Sequence, residues 1–205
     1  MASSVDTRFP SNASPASSTS STIAVHPRAR VFGSSWLTGA AIVRILFGIV
    51  WSIDAIFKWL PGFVHGQTLT DELGGAAKID VPVVHQWLEL WNSIGLSNPP
   101  AFAVGIAIVE TVFALLILTG TFSNFAFIGS ALLSLGIWSG AEGFHLPWGR
   151  DGQTDLGPSV GYIIASLALF YAAAGSTWSV DRWLAPRLGK LAWLASPRVF
   201  PPARG

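Results

Sequence analysis

The sequence predicts an all-α integral membrane protein: a four-transmembrane-helix bundle with an outer interfacial helix and a C-terminal amphipathic helix. Three observations predict this class. Hydrophobic residues make up 51% of the 205-residue chain and charged residues only 11%, against roughly 25% charged residues in a typical soluble domain. Four apolar segments each approach the roughly 20 residues that cross the hydrocarbon core. None of them alternates as barrel strands do, so helices are the expected spanning structure.

The N-terminal stretch differs in composition from the rest of the chain. Residues 1–35 are rich in Ser, Ala, Pro and Thr and hold few large apolar side chains. Such a segment buries too little surface to offset its conformational entropy. We therefore expect a disordered cytoplasmic tail. It has no continuous apolar core before a cleavage site, so we do not expect a signal peptide.

The membrane domain is predicted to occupy residues 36–176. Its four predicted spans cover residues 36–60, 100–119, 123–141 and 156–176. Proline and glycine delimit these segments: Pro61 and Gly62 end the first, and Pro99 and Pro100 open the second. Only a few residues separate the second span from the third, so these two must form an antiparallel hairpin.

The two remaining segments are predicted to lie at the membrane surfaces. The outer loop, residues 61–99, contains apolar residues at helical spacing, which indicates an amphipathic helix. These residues are Val84, Trp87, Leu88, Trp91 and Ile94. The C-terminal segment, residues 177–205, combines tryptophan and leucine with arginine and lysine. This pattern is typical of an interfacial anchor beside anionic lipid.

The distribution of basic residues predicts the orientation. Eight of the twelve Lys and Arg residues lie at the two ends of the chain, whereas the outer loops hold only Lys78 and Arg150. By the positive-inside rule, both termini face the cytoplasm and the protein resides in the cell or inner membrane. The lipid bilayer is one expected partner, and protein subunits of a membrane complex or further copies of the chain are others. A net charge of +1 gives no basic field for nucleic acid.

Four charged residues fall inside the predicted spans, where each is costly unless it is paired or hydrated. Arg44, Asp54 and Lys58 share one stripe of the first helix, and Glu110 lies in the second. Their estimated depths allow an Arg44–Glu110 ion pair. Two interpretations are open: a clamp that fixes helix register, or a polar floor beneath a quinone or substrate cavity.

A second candidate site lies at the outer face, where side chains near the third and fourth spans could converge. These are Glu142, His145, Trp148, Arg150, Asp151 and Asp155. A small anion, a metal or a quinone head group could bind there. No spacing matches a recognised ligand motif, so we expect no metal site. Asp155 has a simpler interpretation as the N-cap of the fourth helix.

Glycines on the third span indicate close packing. Gly129, Gly136, Gly140 and Gly143 fall on one face. Small residues at this spacing let another helix approach closely. The neighbour could belong to the same bundle or to another subunit. The chain has no cysteine, which excludes disulfides, thiolate metal sites and cysteine nucleophiles.

Two stretches carry a resemblance to a known family. TGAAIVRILFGIVWSIDAIFKWLPGF resembles the first helix of DoxX/DoxD-like membrane proteins, with Arg44, Gly48 and Lys58 at matching places. WGRDGQTDLGPSVGYIIASLALFYAAAG, followed by STWSVDRWL, is similar to the end of that family, where a Trp/Tyr-Ser-hydrophobic-Asp segment follows the last helix. The likeness covers about residues 36–185. The TDLG-x-x-x-x-Y stretch and the long outer loop resemble the DoxD branch.

The resemblance implies a DoxD-like membrane subunit of a quinone-linked oxidoreductase, similar to the small subunit of thiosulfate:quinone oxidoreductase. A quinone is then the expected cofactor, and other subunits are the expected partners. The alternative is a non-catalytic accessory subunit that stabilises a larger membrane enzyme. The resemblance assigns no catalytic residue to this chain, so the four intramembrane charges are nominated on physical grounds alone.

Overall fold

The computed structural model describes residues 34–145 and 154–196. Every regular element in these ranges is an α-helix or a 3₁₀ turn, and none is a strand. The all-α prediction is therefore confirmed for the described part of the chain. The predicted tail lies outside it except for its last two residues, which begin the first helix.

Two helices, α1 (Ser34–Phe57) and α5 (Pro99–Thr119), are long and apolar enough to cross a membrane. Local sequence determines both ends of α5. The Asn98 side chain accepts a hydrogen bond from the Ala101 N–H at 3.2 Å, and two prolines occupy the first turn, where their missing N–H groups are not needed. Gly120 closes the helix in the left-handed conformation at φ 67°.

The other two predicted spans are shorter than expected. Helices α6 (Ser123–Ser139) and α7 (Pro158–Tyr171) are 17 and 14 residues long, or about 25 and 21 Å, against about 30 Å of hydrocarbon. Gly157, at φ 83°, delays the start of α7, and Ala173, at φ 51°, lies just beyond its end. By length, two of the four predicted spans meet the criterion for crossing a membrane.

The exposed surface of the long helices is apolar, and this includes the surface of the two shorter helices, α6 and α7. Leu46 on α1, Leu132 on α6 and Ile164 on α7 are 57%, 63% and 63% exposed. In contrast, Arg44 and Glu110 are 0% and 1% exposed. Apolar side chains outside and charged side chains inside are the reverse of a water-soluble fold.

Three helices cover one end of the bundle: α2 (Pro61–Val64), α3 (Gln67–Ala76) and α4 (Val84–Gly95). Helix α4 coincides with the helix predicted for the outer loop. Helices α2 and α3 were not predicted from the sequence. Helix α3 buries Leu69 and Leu73, four residues apart on one face, but its two glycines and short length hide this pattern.

The C-terminal segment is broken where a continuous amphipathic helix was expected, so that prediction is wrong. It forms α8 (Asp181–Leu184) and two 3₁₀ turns, Ala185–Arg187 and Gly189–Leu194. Pro186 lacks a backbone N–H, and Gly189 has φ 51°. Both features interrupt the hydrogen bonds of an α-helix.

Helix α1 packs mainly against α5, and α6 against α7. We call the end of the bundle that carries the α5–α6 turn and residues 172–196 the hairpin end. The opposite end, which carries α2–α4 and the α6–α7 connection, is the loop end. The chain returns to the hairpin end after α7, so the start of α1 and the C-terminal segment lie at the same end.

The predicted glycine face packs against aromatic and aliphatic side chains of this chain. A Cβ on Gly129 would lie 2.5 Å from the Phe113 ring, and one on Gly140 would lie 3.0 Å from Trp91. Gly136 also faces Trp91. The neighbours of Gly143 are Ile79 and Ala76. These glycines therefore make room for α3, α4 and α5 within the chain.

Candidate functional site

Arg44 is completely buried at the hairpin end. Its Nη1 donates hydrogen bonds to the carbonyls of Ile117 and Leu118, at 2.9 and 3.0 Å. Its Nη2 donates to the Trp178 carbonyl at 2.6 Å. The last carbonyls of a helix have no intrahelical partner and carry partial negative charge, so a guanidinium is well suited to the C-terminus of α5.

The expected Arg44–Glu110 pair is absent from the described residues, so that prediction is wrong. The depth estimate behind it assumed that the start of α1 and the end of α5 lie level with each other. In the structure Arg44 is ten residues from the start of α1 yet contacts Ile117, two residues from the end of α5. This difference of eight residues corresponds to an offset of about 12 Å, which moves Arg44 away from Glu110.

Asp181 completes the hairpin end. It is 1% exposed, and its carboxylate accepts backbone hydrogen bonds from Phe122, Ser123 and Ser196 at 2.7, 2.8 and 3.0 Å. The carboxylate thereby caps the N-terminus of α6 and fixes the end of the described chain. The Trp/Tyr-Ser-hydrophobic-Asp pattern includes Asp181, but nothing in the sequence singles the residue out as a cap. Arg44 and Asp181 together connect α1, the end of α5, the start of α6 and the C-terminal segment.

Glu110 pairs with Lys58 towards the loop end. The Lys58 Nζ lies 3.5 Å from Glu110 Oε1, and the Glu110 side chain is 1% exposed, against 22% for Lys58. The same Nζ lies 5.0 Å from the centre of the Phe63 ring, within the range of a cation–π contact. The lysine therefore lies between an aromatic ring and a buried carboxylate.

The surroundings of Glu110 leave polar atoms without hydrogen bonds. Among the described residues, neither Glu110 oxygen has a partner of hydrogen-bonding geometry, and the buried Nε1 of Trp51 also lacks one. Trp51 packs edge-on against Tyr162, with ring centres 5.3 Å apart, and Asp54 interacts electrostatically with Tyr162 and Glu110. We call Trp51, Asp54, Lys58, Glu110 and Tyr162 the interior cluster.

The outer-face candidates are only partly described, because Trp148, Arg150 and Asp151 lie outside the described residues. Glu142 Oε1 accepts hydrogen bonds from the Ser159 N–H at 3.3 Å and the Ser159 hydroxyl at 2.5 Å. Glu142, not Asp155, therefore caps α7, and the predicted role of Asp155 is wrong.

Asp155 instead contacts other residues of the segment that connects α6 to α7. Its Oδ1 lies 2.9 Å from His145 Nδ1 and accepts the Gly157 N–H, also at 2.9 Å. In the described ranges, 34–145 and 154–196, no group of three or more His, Cys, Asp or Glu residues could hold a metal ion.

Glu72 on α3 interacts with both the interior cluster and the outer-face candidate Glu142. It was not among the residues nominated from the sequence. It interacts electrostatically with Lys58, Glu110 and Glu142. Desolvation raises the pKa of its carboxyl; Lys58 opposes this effect, and Glu142 adds to it. Three carboxylates thus extend from the start of α7 to the interior of the bundle.

An apolar groove lies between α5 and α6, and its lining includes Val109, the residue that precedes Glu110. Its volume is about 480 Å³, and its lining includes Trp91, Phe102, Ile106 and Leu133. The buried indole Nε1 of Trp91 has no hydrogen-bond partner among the described residues. An apolar ring with a carbonyl oxygen fits such a lining, since small-molecule sites combine apolar walls with a few polar groups. Glu110 does not line this groove.

No family model matches the chain, and no significant match was found among curated proteins or solved structures. The likeness to DoxX/DoxD-like proteins therefore stays an expectation from the sequence. The geometry alone separates a hairpin end, where Arg44 and Asp181 each take part in three hydrogen bonds, from an interior cluster in which neither Glu110 oxygen has a hydrogen-bond partner among the described residues.

Proposed function

We propose that this chain is a four-helix membrane subunit of a quinone-linked oxidoreductase, DoxD-like in type, in which Glu110 exchanges protons inside the bundle. The observation that carries this proposal is the Lys58–Glu110 pair, a carboxylate 1% exposed beside a lysine within an apolar helix bundle. Burying an ion pair costs several kcal/mol of desolvation. Intramembrane ionisable residues commonly mark proton or substrate pathways.

The apolar surface supports embedding of all four long helices. Leu132 and Ile164, on the shorter α6 and α7, are as exposed as the outward residues of α1. In water, so large an apolar surface would aggregate. A bilayer accommodates a short span by thinning locally, at fractions of a kcal/mol per ångström of mismatch. The basic ends then favour cytoplasmic termini.

The chemistry of quinone reduction explains why a proton-exchanging group is useful there. A quinone takes up two electrons and two protons to become a quinol, and water does not reach the bilayer core to supply the protons. Glu110 would hold a proton near the groove, while Glu72 and Glu142 would carry the exchange towards the loop end. The chain has no cysteine, so we expect electrons to arrive from a partner subunit or an outside donor.

One observation favours the alternative, a non-catalytic accessory subunit. Among the described residues, Glu110 lines neither the groove between α5 and α6 nor three other prominent cavities. A sealed ion pair can fix helix register without any chemistry. In that case the bundle would serve only to stabilise a larger complex.

Purification of the full chain from membranes in mild detergent tests both proposals. We expect quinone to co-purify and thiosulfate-dependent quinone reduction to be measurable. Glu110→Gln should lower turnover at least tenfold, since general acid–base groups contribute about 10²–10⁴-fold, and should leave assembly intact. Glu89→Gln, which changes an exposed carboxylate on α4, should match the wild type. A stoichiometric partner, no bound quinone and full activity of Glu110→Gln in the complex would establish the accessory role instead.

A further inference from the structure

A second, larger groove lies at the hairpin end, away from the interior cluster. Its volume is about 920 Å³, within the range of about 300–1,000 Å³ typical of small-molecule sites. One wall is α6, through Phe125, Ile128 and Leu132. The C-terminal segment forms the other wall, which includes Pro186 and Trp193. The groove therefore runs along an apolar helix and ends beneath the C-terminal segment.

Hydrogen bonds hold this second wall in place. The Asn124 side-chain amide donates to the carbonyls of Trp193 and Ala195, at 3.0 and 2.9 Å. The Ser196 N–H donates to the buried Asp181 carboxylate. These bonds anchor the last residues of the wall to the start of α6. The folded chain therefore fixes the shape of the groove.

The charge beside the groove has one sign. Arg187 and Lys190 are exposed and lie in the stretch that joins two lining residues, Pro186 and Ala192. Within residues 177–196 the sole acidic residue is Asp181, which is 1% exposed and already accepts three N–H groups. No exposed carboxylate of this segment offsets the two cations.

We propose that this groove binds one anionic phospholipid, with an acyl chain along α6 and the phosphate beside Arg187 and Lys190. The inference rests on the membrane embedding proposed above, and not on quinone chemistry. An apolar trough that opens on a lipid-facing helix suits an acyl chain, and the two exposed cations in the segment that forms its wall suit the phosphate of a headgroup. Basic residues near a membrane surface attract anionic lipid by about 1 kcal/mol each, or about fivefold in affinity.

Native mass spectrometry of the full chain, released from micelles with graded amounts of lipid, tests the site. We expect one phosphatidylglycerol to be retained in preference to phosphatidylcholine. Arg187→Gln combined with Lys190→Gln should lower that preference by about 25-fold, or fivefold per cation. Lys78→Gln, an exposed lysine at the loop end, should leave it unchanged. Ala192→Phe should weaken the retention of both lipids because it fills the groove.

Three outcomes would overturn the proposal. These are equal retention of the two lipids by the wild type, an unchanged preference in the double variant, or retention of a second copy of the chain in place of lipid. Alkaline extraction of the membranes is run in parallel. A chain released into the aqueous fraction contradicts the membrane embedding itself, whereas a chain that stays in the membrane without lipid preference contradicts only the lipid site.

Discussion

Replacing Asp181 by alanine is expected to destabilise the protein more than any other single change at the hairpin end. The substitution removes a carboxylate that accepts three backbone hydrogen bonds. It also removes a negative charge that interacts with the buried Arg44 guanidinium. Loss of a helix cap costs about 0.5–2 kcal/mol, and each buried donor left without a partner costs about 1–3 kcal/mol. We expect a loss of about 3–5 kcal/mol in the free energy of unfolding, similar to that of breaking a buried charge network.

Denaturation in mixed detergent and SDS micelles, followed by far-UV circular dichroism, measures this loss. Asp155→Ala is the matched control because it removes an aspartate that is 72% exposed at the other end of the bundle. The control should change stability by less than about 1 kcal/mol. Asp181→Asn, which keeps one acceptor oxygen, should lie between the two. If Asp181→Ala unfolds at the same SDS fraction as Asp155→Ala, the Asp181 carboxylate does not stabilise the hairpin end.

Three further perturbations have defined outcomes. Gly48→Ala should lower the melting temperature, because the added Cβ would lie 2.7 Å from a backbone Cα of α5; Gly39→Ala, with open space around it, should not. Lys58→Met should destabilise the bundle by leaving Glu110 unpaired, and adding Glu110→Leu should recover the loss in the same melting assay. Because desolvation raises the pKa of Glu72, although its side chain is exposed, this residue contributes a small, solvent-screened part of the stability that is complete below its unfolded pKa and is lost as pH rises through its folded pKa. Glu72→Gln should flatten that part of a stability–pH curve.

The helices that the sequence predicted well are those delimited by strong local signals. Helix α5 lies between two prolines and a left-handed glycine, and its predicted start differs by one residue. Helix α4 has a clear apolar periodicity. Helix α7 is shorter than predicted because apolar composition continues past its end, while Ala173 leaves the helical conformation there. Composition gives the extent of an apolar segment, and backbone conformation decides where the helix ends.

The pairing of buried charges could not be predicted in the same way. The sequence nominated Arg44, Lys58 and Glu110, but which cation faces Glu110 depends on how far α1 slides along α5. That offset comes from contacts such as Gly48 against α5, which no local pattern reveals. Glu72 was missed for a related reason, since only the folding of α3 over the bundle brings it near Lys58.

The number of hydrogen bonds distinguishes the buried charged groups of the two sites, although the Arg44 Nε has no partner among the described residues. Arg44 makes three hydrogen bonds and Asp181 accepts three, as expected of groups that stabilise a fold. Neither oxygen of Glu110 has a hydrogen-bond partner among the described residues, which costs stability and is tolerated mainly where function requires it. The two sites should therefore respond differently to neutralisation. Asp181→Asn should lose stability, whereas Glu110→Gln should lose turnover through removal of the proposed proton-exchanging group, with a smaller loss of stability because the Lys58 that it leaves without a counter-charge is partly exposed.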